Sequence, residues 1–200
     1  MKRLFDLLVA FIILILTVPV MVIIAILIRS QNGAPIFYIS ERMKTPDQPF
    51  NLIKFRTMSN AKGKQNVGVT GGDKAGRITP IGKTLRRYRL DELPQVFNVI
   101  RGDMSFVGPR PPLRQYTDAF PDLYAEVLQS RPGITGLATL HFHKHEELLI
   151  ADAKTLEQTE DIYTRRCVPR KATLDLIYNR HASICFDMVI MWQTLCRVLQ

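Results

Sequence analysis

Hydrophobic and polar positions divide this chain sharply. Between Leu4 and Ile28 only Asp6 is charged, and the run from Leu7 to Ile28 carries no charge at all. At about 1.5 Å per residue, a straight helix of that length could cover the ~30 Å hydrocarbon layer of a bilayer. A cleaved secretory signal fits poorly, because its apolar core is usually about 7–15 residues and no small-residue cleavage site precedes Arg29. The segment is therefore expected to be retained in the membrane. Pro19 lies inside the run, where its ring clashes with the Ile15 carbonyl and removes a helical hydrogen bond. Lys2 and Arg3 precede the run and Arg29 follows it. Positive charge at both ends suits a re-entrant hairpin, and a kinked transmembrane span tolerates the proline equally.

Beyond the anchor the pattern becomes mixed. Asn32-Gly33-Ala34-Pro35 reads as a turn, Ile36–Ile39 as a short strand, and Phe50–Met58 as a second. Alternation in the second puts Leu52, Lys54 and Arg56 on one side and Ile53 and Phe55 on the other. Residues 59–76 are polar and glycine-rich without the Gly-Lys-Ser/Thr ending of a phosphate loop, so a plain loop is expected. Thr79-Pro80 is a cap followed by proline at the first helical position, predicting a helix to about Tyr88. A further helix is predicted from Leu93-Pro94 to Gly102, and another from Gln115 to Gln129, interrupted at Pro121. Arg131–Gly136 reads as a turn, Leu137–His143 as a strand, and 146–166 and 184–199 as helices. In the last helix Met188, Met191, Trp192, Leu195 and Leu199 form a broad apolar face, suited to a membrane interface or to core packing. The expected fold class is α+β, mainly helical with a few short strands and amphipathic interface helices, an N-terminal membrane helix over 1–30 and one continuous unit over 31–200.

Composition narrows the partners. The 200 residues suit one domain with a real core, and a formal charge of +9 suits nucleic acid, an anionic membrane surface or a phosphorylated substrate. Nucleic acid is disfavoured, because helix-turn-helix, zinc-finger and RNP patterns are all missing. Cys167, Cys185 and Cys196 lack metal-type pairing and read as reduced thiols packed as small apolar residues.

Candidate chemistry centres on Asp91 and Glu92, adjacent acids in an arginine-rich stretch. If Pro94 opens a helix, they precede its N-terminus, whose free amides would keep a carboxylate ionised and accessible as a nucleophile. Two carboxylates also suit magnesium, which completes its shell from substrate phosphates. A plain helix-capping pair bridged to Arg86 or Arg89 is the alternative for the acids alone. Lys54, Arg86, Arg110 and Arg131 change the balance, since guanidinium groups bind phosphate bidentately and phosphoryl transfer needs cations, metal and nucleophile together. His141, His143 and His145 alternate, which on a strand would put all three on one face as in a zinc or iron site. Only Glu146 and Glu147 could add ligands there, so contact with a polar or phosphorylated ligand, or a polar surface, is preferred.

Several blocks resemble one family. Arg77–Arg86, Leu90–Gln95, Asn98–Ser105, Val107–Pro111 and Arg131–Gly136 are similar to the bacterial sugar transferases, the monotopic phosphoglycosyl transferases, in their small catalytic-domain form. The likeness runs from the anchor to about residue 138. It implies transfer of a sugar 1-phosphate from a UDP-sugar to polyprenyl phosphate, with release of UMP, at the cytoplasmic face of the bacterial inner membrane. By that likeness Asp91 is the nucleophile that forms an aspartyl phosphosugar. Glu92 assists with Mg2+ or a proton, and Lys54, Arg86, Arg110 and Arg131 hold phosphates. Pro19 matches the break of a re-entrant helix. Partners so implied are the UDP-sugar, polyprenyl phosphate and inner-membrane lipids, with no nucleic acid and with a homo-oligomer allowed. An inactive membrane scaffold of glycan assembly and a metal-dependent phosphohydrolase are the alternatives. Val18 stands where the family often has serine, and Leu137–His145 replaces its tryptophan and Asn-Gly-Arg-Asn-like run. The sugar is therefore not carried over.

Overall fold

A computed structural model describes residues 1–59 and 76–198. Most of the stretch expected to be a glycine-rich loop, 60–75, lies outside the described residues. The elements are mainly helical with a few short strands, as the sequence predicts. Helix α1 (Lys2–Asn32) runs without interruption through Pro19. The Thr17 hydroxyl donates to the Ile13 carbonyl at 2.8 Å, one turn before that proline. The helix is long and apolar enough to cross a membrane, and most of its apolar stretch is not buried.

Both halves of α1 are nonetheless fastened to the rest of the chain. At its start Lys2 donates to the Val107 carbonyl and the Tyr178 hydroxyl and pairs with Asp187, while Arg3 donates to the Val99 and Ile100 carbonyls. Asp6 is buried and accepts from the Ser105 hydroxyl at 2.9 Å and the Phe106 N–H at 3.3 Å. At its end the Arg56 guanidinium donates to the carbonyls of Asn32, Gly33 and Ala34 at 2.6, 2.7 and 2.8 Å. Those bonds satisfy acceptors that a helix C-terminus leaves open. Ala10 packs in one apolar cluster with Leu52, Val96, Val99 and Tyr178; Met21, Ile24 and Ile28 pack in another with Phe55 and Leu85.

Strands β1 (Phe37–Met43) and β2 (Pro49–Phe55) form an antiparallel hairpin with Phe37 opposite Phe55. Helix α2 (Pro80–Arg87) starts as its sequence dictates: the Thr79 hydroxyl accepts from the Gly82 N–H at 3.1 Å and Pro80 fills the first turn. Gly82 is needed for a different reason, since a Cβ there would lie 2.1 Å from the Thr57 carbonyl oxygen. This close approach seats α2 on the end of β2. A 3-10 turn (Leu90–Glu92) leads into α3 (Gln95–Arg101), which ends at Gly102 with φ 89°. Buried Asn98 ties α3 to β2, accepting from the Ile53 N–H at 3.1 Å and donating to the Asn51 carbonyl at 2.7 Å.

Strand β3 (Ser105–Val107) pairs in parallel with β4 (Gly133–Thr135), separated in sequence by α4 (Arg114–Ala119) and α5 (Pro121–Val127). The break between α4 and α5 falls at Pro121, as expected. The remaining helices are α6 (Leu137–Ala151), α7 (Leu156–Ile162), α8 (Val168–His181) and α9 (Ile184–Val198), with a π-helical turn at Tyr163–Cys167.

Two expectations fail in this half, and one helix is unpredicted. Leu137–His143 is helical: Leu140 and Phe142 mimic strand alternation, but buried Ala138, Phe142 and Ile150 follow helical spacing, and Thr139 is the one β-branched residue in the segment. The helix expected over 146–166 is instead two helices that break near Asp152–Thr155, with the Thr155 hydroxyl capping α7. Helix α8 was not foreseen, because buried Lys171 and Asp175 place charge on its inner face and blur the apolar stripe. In α9 Met188, Trp192 and Leu195 are half or more exposed, Met191 packs against the core, and Leu199 lies outside the described residues. Of the cysteines, Cys167 alone is buried, and Cys185 is exposed.

Candidate active site

A cavity of about 320 Å³ opens between the β1–β2 hairpin, the 3-10 turn and helices α6 and α8. Lys54 reaches it from β2, Arg86 from α2, Asp91 and Glu92 from the turn, and Arg110 from the segment after β3. Local structure explains each placement. Arg86 Nε donates to the Thr57 hydroxyl at 2.9 Å, an outcome of the α2–β2 approach at Gly82. Arg110 follows Gly108, where a Cβ would lie 2.1 Å from the Arg131 carbonyl oxygen, and Pro109, whose carbonyl accepts from the Gly133 N–H at 2.8 Å. Arg131 itself is exposed at the turn before β4 and does not line the cavity, so it stands apart from the other expected phosphate ligands.

The two acids have different surroundings. Glu92 is buried, and its Oε1 accepts from Lys54 at 2.7 Å and from Arg110 at 3.1 Å, while Oε2 lies 3.6 Å from Arg89. Burial alone would raise its pKa, yet Lys54, Arg110 and Arg89 together hold it far below the usual carboxylate range. Asp91 lines the cavity, and its carboxylate makes no hydrogen bond or ion pair among the described residues. Burial, reinforced by the Glu92 charge, pushes its pKa above the ordinary value despite Lys54, Arg86 and Arg110. The acids lie in the 3-10 turn rather than directly at the helix N-terminus where the sequence puts them. Helix α3 begins only at Gln95, and burial beside a second acid decides the direction. Lys54 in turn is lowered by burial, which outweighs the support of Glu92.

The sequence profile described as Bacterial sugar transferase matches residues 1–200. The chain belongs to the bacterial sugar transferase family. It is 32% identical over 203 residues to a UDP-N-acetylgalactosamine-undecaprenyl-phosphate N-acetylgalactosaminephosphotransferase of Aeromonas hydrophila, covering 99% of this chain and 43% of that protein. It is 33% identical over 196 residues to a UDP-glucose:undecaprenyl-phosphate glucose-1-phosphate transferase of Klebsiella pneumoniae, covering 96% and 39%. The sugar transferase EpsL of Bacillus subtilis is 37% identical over 141 residues, covering 70% and 68%. The chain thus spans about two fifths of the length of the Aeromonas and Klebsiella relatives.

Sequence reasoning singled out His143, Glu146 and Glu147 as possible ligand contacts but missed Lys171, Asp175 and Arg42, which line the same cavity. The five residues other than Arg42, which comes from β1, are carried by α6 and α8. Because α6 is a helix, the three histidines do not share a face. His143 lines the cavity and bonds Glu147 at 3.2 Å, whereas His145 meets Arg170 at 3.0 Å and the edge of Phe142. No group of three or more metal-type ligands occurs among the described residues. Lys171 and Asp175 are four residues apart, the spacing that puts two side chains on one helix face. That signal was present, but it is readable only once α8 is known to be a helix.

Proposed function

We propose that this chain transfers a sugar 1-phosphate from a UDP-sugar to polyprenyl phosphate through a covalent aspartyl phosphosugar. The observation that carries the reading is the unengaged Asp91 carboxylate, set in a cavity beside Lys54, Arg86 and Arg110. In the first half-reaction an Asp91 oxygen bonds to the sugar-bearing phosphorus as the P–O–P bridge breaks, and UMP leaves with the bridging oxygen and its electron pair. In the second, a phosphate oxygen of polyprenyl phosphate bonds to that phosphorus, the Asp91–phosphorus bond breaks, and the carboxylate is regenerated. Lys54, Arg86 and Arg110 neutralise phosphate oxygens in both steps, as expected of electrostatic catalysis of phosphoryl transfer. Names of relatives support the substrate class: they specify undecaprenyl phosphate as acceptor, and UDP-glucose or UDP-N-acetylgalactosamine as donor.

The acids fit Mg2+ with a restriction. Glu92 Oε1 is taken by Lys54 and Arg110 and Oε2 lies 3.6 Å from Arg89, which makes the Asp91 carboxylate the freer candidate ligand. One or two carboxylates, with substrate phosphates and water completing the shell, is the usual magnesium arrangement. The ion would supply charge neutralisation on the diphosphate.

A re-entrant α1 on the cytoplasmic face of the inner membrane belongs to the same proposal. It is supported by the attachment of both ends of the helix, through Lys2 and Arg56, to the same body of the chain. The outward Met188, Trp192 and Leu195 would extend the contact with lipid.

The test is to incubate the full chain in detergent with UDP-sugars, Mg2+ and polyprenyl phosphate, following UMP and lipid-linked product. Both should form from at least one UDP-sugar. UMP without lipid product points to a phosphohydrolase, and no UMP from any common UDP-sugar points to a scaffold; either result overturns the proposal.

A further inference from the structure

The α6–α8 wall of the cavity has no role in the proposed phosphoryl chemistry, and one of its groups is anomalous. Asp175 is 5% exposed, lines the cavity, and its Oδ1 has no hydrogen-bond partner among the described residues. Leaving a buried acceptor unmet destabilises a protein, more so for a charged group. Its neighbour does not relieve it: the Lys171 ammonium donates to Glu146 Oε2 at 2.8 Å and to the Tyr163 hydroxyl at 3.0 Å. Burial pushes the Asp175 carboxyl up to about 7, against the pull of Lys171 and the Ala138 N–H. A residue kept in so unfavourable a setting, facing a substrate-sized cavity, has the character of an acceptor waiting for a ligand donor.

We propose that Asp175 is a sugar-recognition residue, its Oδ1 accepting a hydrogen bond from a ring hydroxyl of the UDP-sugar's hexose. This rests on the UDP-sugar reading above and adds the end of the cavity that selects the sugar. The chemistry of the wall favours the hexose over the uracil. Uracil's pairing edge has two carbonyls around one N–H and so calls for two donors to one acceptor. Among the described residues the wall offers an unpaired acceptor, Asp175 Oδ1, and an unpaired donor, Arg42 Nε, while Glu146 and Glu147 are already engaged by Lys171 and His143. A pyranose presents adjacent hydroxyls that donate to carboxylates and accept from a remaining ammonium hydrogen. The acids of this wall adjoin the phosphate-binding cations, Glu146 acting on Arg110 and Arg86 on Glu147, so a hexose held here would sit next to its phosphates. Relatives of nearly equal identity carry different sugars in their names, so sugar choice must lie in particular side chains rather than in overall similarity.

Asp175→Asn is the informative change, because it keeps the shape and turns one acceptor into a donor. Binding is measured on the full chain in detergent micelles, in an Asp91→Asn background so that turnover cannot interfere. The probes are UDP, UDP-glucose, UDP-N-acetylglucosamine and UDP-N-acetylgalactosamine. The preferred UDP-sugar should lose roughly 10–100-fold in affinity, the range expected for a hydrogen bond to a charged group, while UDP stays within about twofold. The melting temperature should hold or rise, since an unmet buried carboxylate is removed. A second measurement avoids the mutation: among singly deoxygenated analogues of the preferred UDP-sugar, one should bind the Asp175-containing protein at least tenfold more weakly. That deficit should vanish in Asp175→Asn. Equal loss for UDP and UDP-sugar, unchanged UDP-sugar affinity, or equal binding of all deoxy analogues each overturns the assignment. Failure of the transferase reading is separately visible as absence of UMP release by the unaltered chain.

Discussion

Glu92→Gln gives the sharpest test of how this site is held together. The substitution preserves shape and removes the charge that meets Lys54 at 2.7 Å and Arg110 at 3.1 Å. Lys54 and Glu92 side chains are only 17% and 7% exposed, so water cannot replace the lost partner well. Removing one member of a buried pair typically destabilises by about 3–5 kcal/mol, because the other charge is stranded. Arg110 and Arg89 are more exposed, which argues for the lower end, about 3 kcal/mol. For a chain of this size that corresponds to a fall in melting temperature of roughly 6–12 °C.

The assay is thermal denaturation of the single variant and of Glu92→Gln combined with Lys54→Met. The double variant should recover much of the loss, since it no longer buries an unpaired ammonium. The sign in pH follows from the depressed pKa of Glu92. Its stabilisation is complete above the unfolded value of 4.5 and is lost as pH falls below it toward the folded value, so wild type should lose its advantage over Glu92→Gln in acid. A single-variant change under ~1 kcal/mol, the range of exposed pairs, refutes the reasoning, as does a double variant no better than the single.

The other predictions concern charge, reach and topology. Asp91→Asn should abolish UMP release without lowering the melting temperature, and wild-type kcat/KM should fall with acidity at a pH above 3.8. Only the ionised acid attacks, and burial and Glu92 raise its pKa; an acid limb at or below 3.8 contradicts this. Arg110→Ala should raise KM for the UDP-sugar at least tenfold, whereas Arg131→Ala, outside the cavity, should change it less than twofold; equal effects in kinetics would remove the geometric distinction. In a background free of Cys185 and Cys196, Leu4→Cys and Gln31→Cys should react with an impermeant maleimide from the same membrane face, and labelling from opposite faces would exclude a re-entrant α1.

What could be read from the sequence followed the range of the determining interactions. The start of α2 was legible because its cap is local: Thr79 bonds an amide three residues on, and Pro80 needs no partner. Gly102 likewise marks the end of α3 with its own backbone conformation. Helix α6 was misread because the first residues after Gly136 alternate in polarity, and only packing against α8 reveals the helical spacing of Ala138, Phe142 and Ile150. Lys54, Arg86, Asp91, Glu92 and Arg110 were all found and do converge. The logic of their convergence was not, because Lys54 and Arg110 reach Glu92 across 38 and 18 residues. Arg131 looked equivalent to Arg110, since both adjoin prolines. In the fold it is the Arg131 backbone, pressed against Gly108, that contributes, while its side chain leaves the site.

The acid pair itself shows why adjacency in sequence is a poor guide to role. Glu92 is ringed by Lys54, Arg110 and Arg89, so its negative charge is already spent on holding cations in place around the cavity. Without that charge those cations would repel one another, as the lowering of Lys54 by Arg110 indicates. Asp91, one residue earlier, has no such engagement, and the charge of Glu92 raises its pKa further. A raised pKa makes a carboxylate more basic and less satisfied, which is what an attacking oxygen requires, while the cations that Glu92 gathers remain close enough to neutralise the phosphate it attacks. Glu92 thus tunes the proposed nucleophile twice, directly through its own charge and indirectly through the arginines and lysine it positions. On this account Glu92→Gln should reduce kcat more than an equally destabilising substitution in the core, such as one at Val99.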